Sequence, residues 1–191
     1  MLYLVHAAAW TAFIGARIIL CKSSPGRTTV PKSQTAHASP YSAVLIIFHG
    51  VGFGVMYLGM ARAGHGVRAQ YLIPPQEPLG ALVILSGAAI MCWAMAYFRS
   101  WRLHAKIDTG PELATGGPFA LARHPIYVGI NLLGIGTALW VPTMTEFAAV
   151  LLLVIGSDLR ARAEEGVLMQ AFGEAYTSYM ARTKRFIPGI Y

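Results

Sequence analysis

Apolar residues gather in five stretches along the chain, 2–21, 41–61, 79–98, 126–141 and 147–156. Each of the first three is about 20 residues long, the length of helix that crosses the hydrocarbon of a bilayer. The last two are shorter and are joined through 142–146. Thr143 followed three residues later by Glu146 has the form of a capping box, so a helix is expected to start there and close a short helical hairpin. That helix is expected to run past Ser157 into polar sequence. Segment 23–40, rich in Ser, Thr and Pro, reads as a loop. After Ala171 the pattern continues as an amphipathic helix broken near Gly173. The prediction is an all-α integral membrane protein, one membrane domain over 1–191 with about five transmembrane helices and an amphipathic C-terminal helix.

Composition agrees with a lipid solvent. Hydrophobic residues make up 55% and charged residues 12%, too little charge to coat a soluble domain of 191 residues. Mean hydropathy is +0.53. The net charge of +7 is concentrated: of the 15 Lys and Arg residues, all but Arg17, Arg62 and Arg68 fall in regions that five spans would place on one side. The positive-inside rule then puts the C-terminus in the cytoplasm and the N-terminus on the other side, in a bacterial inner membrane or the endoplasmic reticulum. No basic region precedes the first apolar run, which reads as a retained helix and not a cleaved signal. No nucleic-acid-binding pattern interrupts the apolar segments. Cys21 and Cys92 form no CxxC or Cys/His cluster, so no disulfide framework and no metal site is expected. No obligate protein partner is inferred.

Two polar constellations remain. In the first, Arg123 and His124 precede Pro125, which suits the first turn of a helix. A helix N-terminus flanked by a guanidinium and an imidazole can receive an anionic group. Tyr127 and Asn131, four residues apart, carry that polar line into the membrane, as a cavity-lining face would. The same residues would also serve as an interfacial belt. In the second, Arg160 and Glu164 share one helix face and Arg162 and Glu165 another. One pair can face a pocket while the other, Arg162 with Glu165, stays a surface ion pair. In the tail, Arg182, Lys184 and Arg185 read as a headgroup-facing anchor.

Taken in order, Gly117-Pro118-Phe119, Arg123-His124-Pro125, Tyr127 and Gly129, followed by Arg160, Glu164-Glu165, Gly173 and Tyr176, resemble the isoprenylcysteine carboxyl methyltransferase family and its phospholipid methyltransferase relatives. The resemblance covers 104–188 and implies a membrane methyltransferase that uses S-adenosyl-L-methionine. It implies a three-helix scaffold over 1–98 and a cofactor-binding, catalytic half over 99–191. Carried over by motif, the cofactor positions are His124, Pro125, Ile126, Tyr127 and Glu164, with Phe119 and the strip Pro111, Glu112, Leu113 and Ala114 along its edge and His104 near a further position. Phe119 stands where the family commonly has Tyr, so a hydroxyl contact is lost. Arg160 matches the family's catalytic, substrate-side arginine, and Asn131 joins it as a candidate substrate contact. The implied acceptor is lipophilic or prenylated, with a carboxylate first in line and a phospholipid amine as an alternative. Membrane sterol and steroid reductases, which use NADPH, share Arg-His-Pro-x-Tyr. They typically carry Asn where Ile126 stands and Glu where Ile130 stands, and both positions are apolar in this chain.

Overall fold

The computed structural model describes residues 1–22, 41–64, 73–104 and 113–191, and within them every regular element is a helix. In chain order these are α1 (Leu2–Lys22), α2 (Tyr41–Gly64), α3 (Glu77–His104), α4 (Pro118–Leu121), α5 (Pro125–Trp140), α6 (Met144–Phe172) and α7 (Glu174–Arg182). The five apolar stretches correspond to α1, α2, α3, α5 and α6. The expected loop 23–40 lies outside the described residues.

Local sequence sets the boundaries of α5 and α6. Thr143 accepts a hydrogen bond from the Glu146 N–H at 3.3 Å and caps α6. Pro125 opens α5. Gly173, at a φ of 52°, ends α6, and its N–H reaches the Met169 carbonyl at 2.9 Å. At 29 residues, α6 continues well past Ser157 and carries the second polar constellation on its C-terminal half.

Packing between α3 and α5 depends on glycine. A Cβ on Gly136 would lie 2.7 Å from the Gly80 carbonyl oxygen, and one on Gly87 would lie 2.7 Å from that of Gly129. Two backbones therefore touch at two levels, which lets neighbouring helices approach closely without a large apolar driving force. The core between the helices is built from Met56, Met60, Ile84, Met91, Leu133 and Leu153. At one end polar groups also pair across helices: His6 of α1 with Thr137 of α5 at 2.8 Å, and Trp10 of α1 with Tyr57 of α2 at 2.7 Å.

The outer faces are apolar. Leu4, Ile19, Leu82 and Leu151 are all at least 60% exposed. Among the described residues, windows Leu2–Ile19 and Glu77–Phe98 are long and apolar enough to cross a membrane, while Pro125–Trp140 is apolar but shorter. An exposed apolar surface of this extent is disfavoured against water and suits lipid.

Gly136→Ala is expected to destabilise the bundle by about 1–3 kcal/mol, because the added methyl must displace the α3 backbone. Thermal unfolding in detergent should show a lower midpoint, and an unchanged one would mean that the α3–α5 contact is not close in solution.

Candidate functional site

The C-terminal half of α6 supplies the base of the site. At 3.6 residues per turn, Ser157, Arg160, Ala161, Glu164 and Glu165 fall on the side facing α5 and the C-terminal segment. Ala161 is fully buried beneath Tyr127 and Phe186, and its small side chain lets those rings lie close to the helix.

Glu165 is the hub. Its Oε1 receives Arg123 through Nε at 3.0 Å and through the guanidinium terminus at 2.8 Å. Arg185 binds both oxygens, from Nε to Oε1 at 3.0 Å and from the terminal nitrogen to Oε2 at 2.7 Å. Arg123 also donates to the Thr183 carbonyl at 2.5 Å, and Arg185 reaches Asp158 at 2.9 Å. The main chain completes the clamp: the N–H groups of Arg123 and His124 donate to the carbonyls of Lys184 and Arg185 at 2.9 and 3.2 Å. The segment before α5 is thereby fastened to both α6 and the tail. Burial alone would push the Glu165 carboxyl up, but bonds from His124, Arg185 and Arg123 hold it well below the usual carboxylate range.

These contacts correct two sequence expectations. Glu165 does not pair with Arg162, which instead binds Asp158 one turn earlier at 2.6 Å. Arg185 is not turned to headgroups but inward, because a buried carboxylate requires a charge-assisted partner more than the surface does. The anion expected at the start of α5 is also internal. His124 places Nδ1 3.5 Å from Glu164 and Nε2 3.3 Å from Glu165. Burial lowers the pKa of His124, but the two carboxylates outweigh it and raise the value overall, favouring the imidazolium.

A second chain of contacts runs on the open side of this clamp. The Tyr127 hydroxyl donates to Glu164 and accepts from Arg160 Nε at 3.0 Å. Arg160 also stands 3.5 Å from Glu164 and lies over the Tyr127 ring. The Tyr127 ring stacks with those of His124 and His49, each with its ring centre at 5.7 Å. His49 approaches Ser157 at 3.2 Å, and the Ser157 hydroxyl donates to Asn131 Oδ1 at 2.9 Å. Glu164 remains 45% exposed and keeps lone pairs for further donors.

Above Tyr127 and Arg160 lies a cavity of about 400 Å³, within the range of small-molecule sites. Its polar lining is Arg17 of α1, His49 of α2, Tyr127 and Arg160. Its apolar lining is Phe13, Phe53, Met95, Ile126 and Ile130.

The structure thus brings together His124, Tyr127, Glu164 and Arg160, and places Ile126 in the cavity wall. Pro125 serves to start α5. Asn131 supports His49 through Ser157. Phe119 packs against Tyr97 and Phe98 of α3, and its carbonyl accepts from Tyr179 at 2.5 Å. Nearby Gly117 has a φ of 56° and faces the Tyr97 ring, so both its conformation and its space require glycine. Leu113 and Ala114 are partly buried, while positions 111 and 112 lie outside the described residues. His104 ends α3, and its side chain lies outside the described residues.

Sequence reasoning missed Arg17 and His49, both in the half expected to be scaffold. A lone cation inside an apolar span was the available signal for Arg17. His49 belongs to no motif.

Glu165→Gln should cost about 3 kcal/mol at neutral pH, since it leaves two guanidinium groups facing a neutral amide. A carboxyl whose folded pKa is depressed contributes stability above its ordinary value of 4.5 and loses it as pH falls towards the folded value. The gap in melting temperature between the protein and the variant should therefore narrow below about pH 4.5. A gap that stays constant across that range would contradict the ionised clamp.

Comparison with known proteins fits this geometry. Over 81 residues the chain is 43% identical to the cobalt-zinc-cadmium resistance protein CzcN of Cupriavidus metallidurans, a match covering 40% of this chain and 35% of that protein. The chain thus spans about a third of that relative's length. The pattern of the phospholipid methyltransferase family matches residues 76–175, from the start of α3 to the first turn of α7. Over more than half of its length, and through the segment holding His124, Tyr127, Arg160, Glu164 and Glu165, the chain belongs to the phospholipid methyltransferase family.

Proposed function

We propose that this protein is a membrane methyltransferase that uses S-adenosyl-L-methionine and methylates a lipophilic acceptor, a carboxylate before an amine. The observation that carries the reading is the adjoining placement of a half-exposed carboxylate, Glu164, and a part-apolar cavity with Arg160 between them. Family membership favours methyl transfer over the hydride transfer of the reductases that share Arg-His-Pro-x-Tyr.

The residues fit the methyl donor. Glu164, fixed by Tyr127 and His124, has free lone pairs for an amine or for ribose hydroxyls. Bound S-adenosyl-L-methionine supplies a methyl group on a sulfonium, and a carboxylate acceptor takes it as an ester with no proton to remove. The protein's task is then mostly alignment. Arg160, held by the Tyr127 hydroxyl, is positioned to bind and orient the acceptor's carboxylate. Glu165 supplies no general base, since two guanidinium groups keep it ionised and occupied.

In this reading α1, α2, α3, α5 and α6 all cross the bilayer, with α5 and α6 as the short hairpin. The site and the C-terminus face the cytoplasm, on the side carrying most of the basic residues. The acceptor is an amphipathic small molecule or a prenylated chain that enters from the lipid.

Calorimetry on the protein in detergent is expected to detect binding of S-adenosylhomocysteine but not of NADPH. The reverse result would replace the methyltransferase with a reductase. Glu164→Ala should weaken that binding by at least about tenfold, the scale for losing a charged hydrogen-bond partner. Arg160→Ala should spare it while lowering turnover, and equal loss of both would move Arg160 to the cofactor.

A further inference from the structure

We infer that Arg17 of α1, which lines the same cavity as Arg160, is a second cationic contact that selects acceptors with a carboxylate head on a lipid chain. The inference rests on the methyltransferase reading and concerns a residue outside the matched family segment, which begins at residue 76.

Arg17 lies within Leu2–Ile19, a window apolar enough to cross a membrane. A guanidinium at such a place is costly and is expected where it meets an anion or water. Among the described residues no carboxylate forms an ion pair with Arg17. It lines the same cavity as Arg160, whose guanidinium is fixed through Nε by Tyr127.

The charged groups that line this cavity are both cationic, with Glu164 beside Arg160 just outside the lining. Its described polar lining consists of two guanidinium groups, an imidazole and a phenol, with no carboxylate among them. Apolar walls such as Phe13, Phe53 and Met95 lower the local dielectric and strengthen that field. An ammonium head would be repelled by Arg17, and a neutral head would leave Arg17 without a counter-charge, whereas Arg160 already stands 3.5 Å from Glu164. An anionic head supplies that counter-charge while its chain lies along the aromatic and aliphatic wall. A volume of about 400 Å³ suits a compact head and the start of one chain, with the remainder of the chain in lipid. A carboxylate matches two guanidinium groups by accepting paired N–H bonds on each oxygen.

The test uses the whole protein in lipid nanodiscs and a diazirine-bearing palmitic acid as photoprobe, with its methyl ester as the uncharged control. S-adenosylhomocysteine binding is measured on the same samples. The acid should label peptides from α1 and α2 around Phe13 and Phe53 in a saturable way, and the ester should not. Arg17→Gln should reduce labelling by the acid about tenfold, as expected for loss of one charged partner, and leave S-adenosylhomocysteine binding intact. Arg17→Lys should restore part of the labelling. Equal labelling by acid and ester, or full labelling of Arg17→Gln, with S-adenosylhomocysteine still bound, would overturn this inference alone. Stronger displacement by lysophosphatidylethanolamine than by unlabelled palmitate would overturn the carboxylate head. Loss of S-adenosylhomocysteine binding in the unaltered protein would overturn the methyltransferase reading and this inference with it.

Discussion

One ion-paired carboxylate on α6 organises the polar end of the molecule. Glu165 gathers Arg123 from the segment before α5 and Arg185 from the tail, and it lies against the imidazole of His124. Each of those groups would be expensive to bury alone. Together they satisfy one another and fix three chain segments that are distant in sequence. The orientation of His124, and through it of Glu164 and Tyr127, follows from that fixed point. Two adjacent glutamates on one helix thereby divide the work: Glu165 faces in and holds the structure, while Glu164 faces the opening with lone pairs to spare.

Beside this clamp the bundle is shaped for lipid. Glycines bring α3 and α5 into backbone contact, and the apolar outer faces need no charged coat. Among the described residues, ion pairs gather at the polar end of α6 and in the tail. The cavity lies at the boundary between these regimes, with one wall from the apolar helices and the other from the polar end of α6. Under the proposed function, that position lets a water-soluble methyl donor meet a lipid-dissolved acceptor.

Most of the helical framework was legible from hydropathy, because apolar length and the capping signals at Thr143, Pro125 and Gly173 act locally. His124, Tyr127, Glu164 and Arg160 were legible through motif spacing, and the structure brings them within contact of one another. The pairing of Glu165 was not. Helical periodicity offered Arg162 as a neighbour on the same face, but a buried carboxylate binds whichever guanidinium tertiary packing delivers, and those come from Arg123 and Arg185. Arg17 and His49 were hidden for a related reason. Each is an isolated polar residue in an apolar helix, and only the arrangement of α1 and α2 around α5 and α6 gives them a shared cavity.

Methyl transfer itself is the most direct measurement. Purified protein in nanodiscs, given S-adenosyl-L-methionine labelled on its methyl group and a total lipid extract, is expected to place label in the organic phase. Mild alkali should release that label as volatile methanol, the mark of a carboxyl methyl ester. Label that resists alkali would point to an amine or ether acceptor and contradict the carboxylate assignment. No transfer to any lipid fraction, together with no binding of S-adenosylhomocysteine, would contradict the methyltransferase itself.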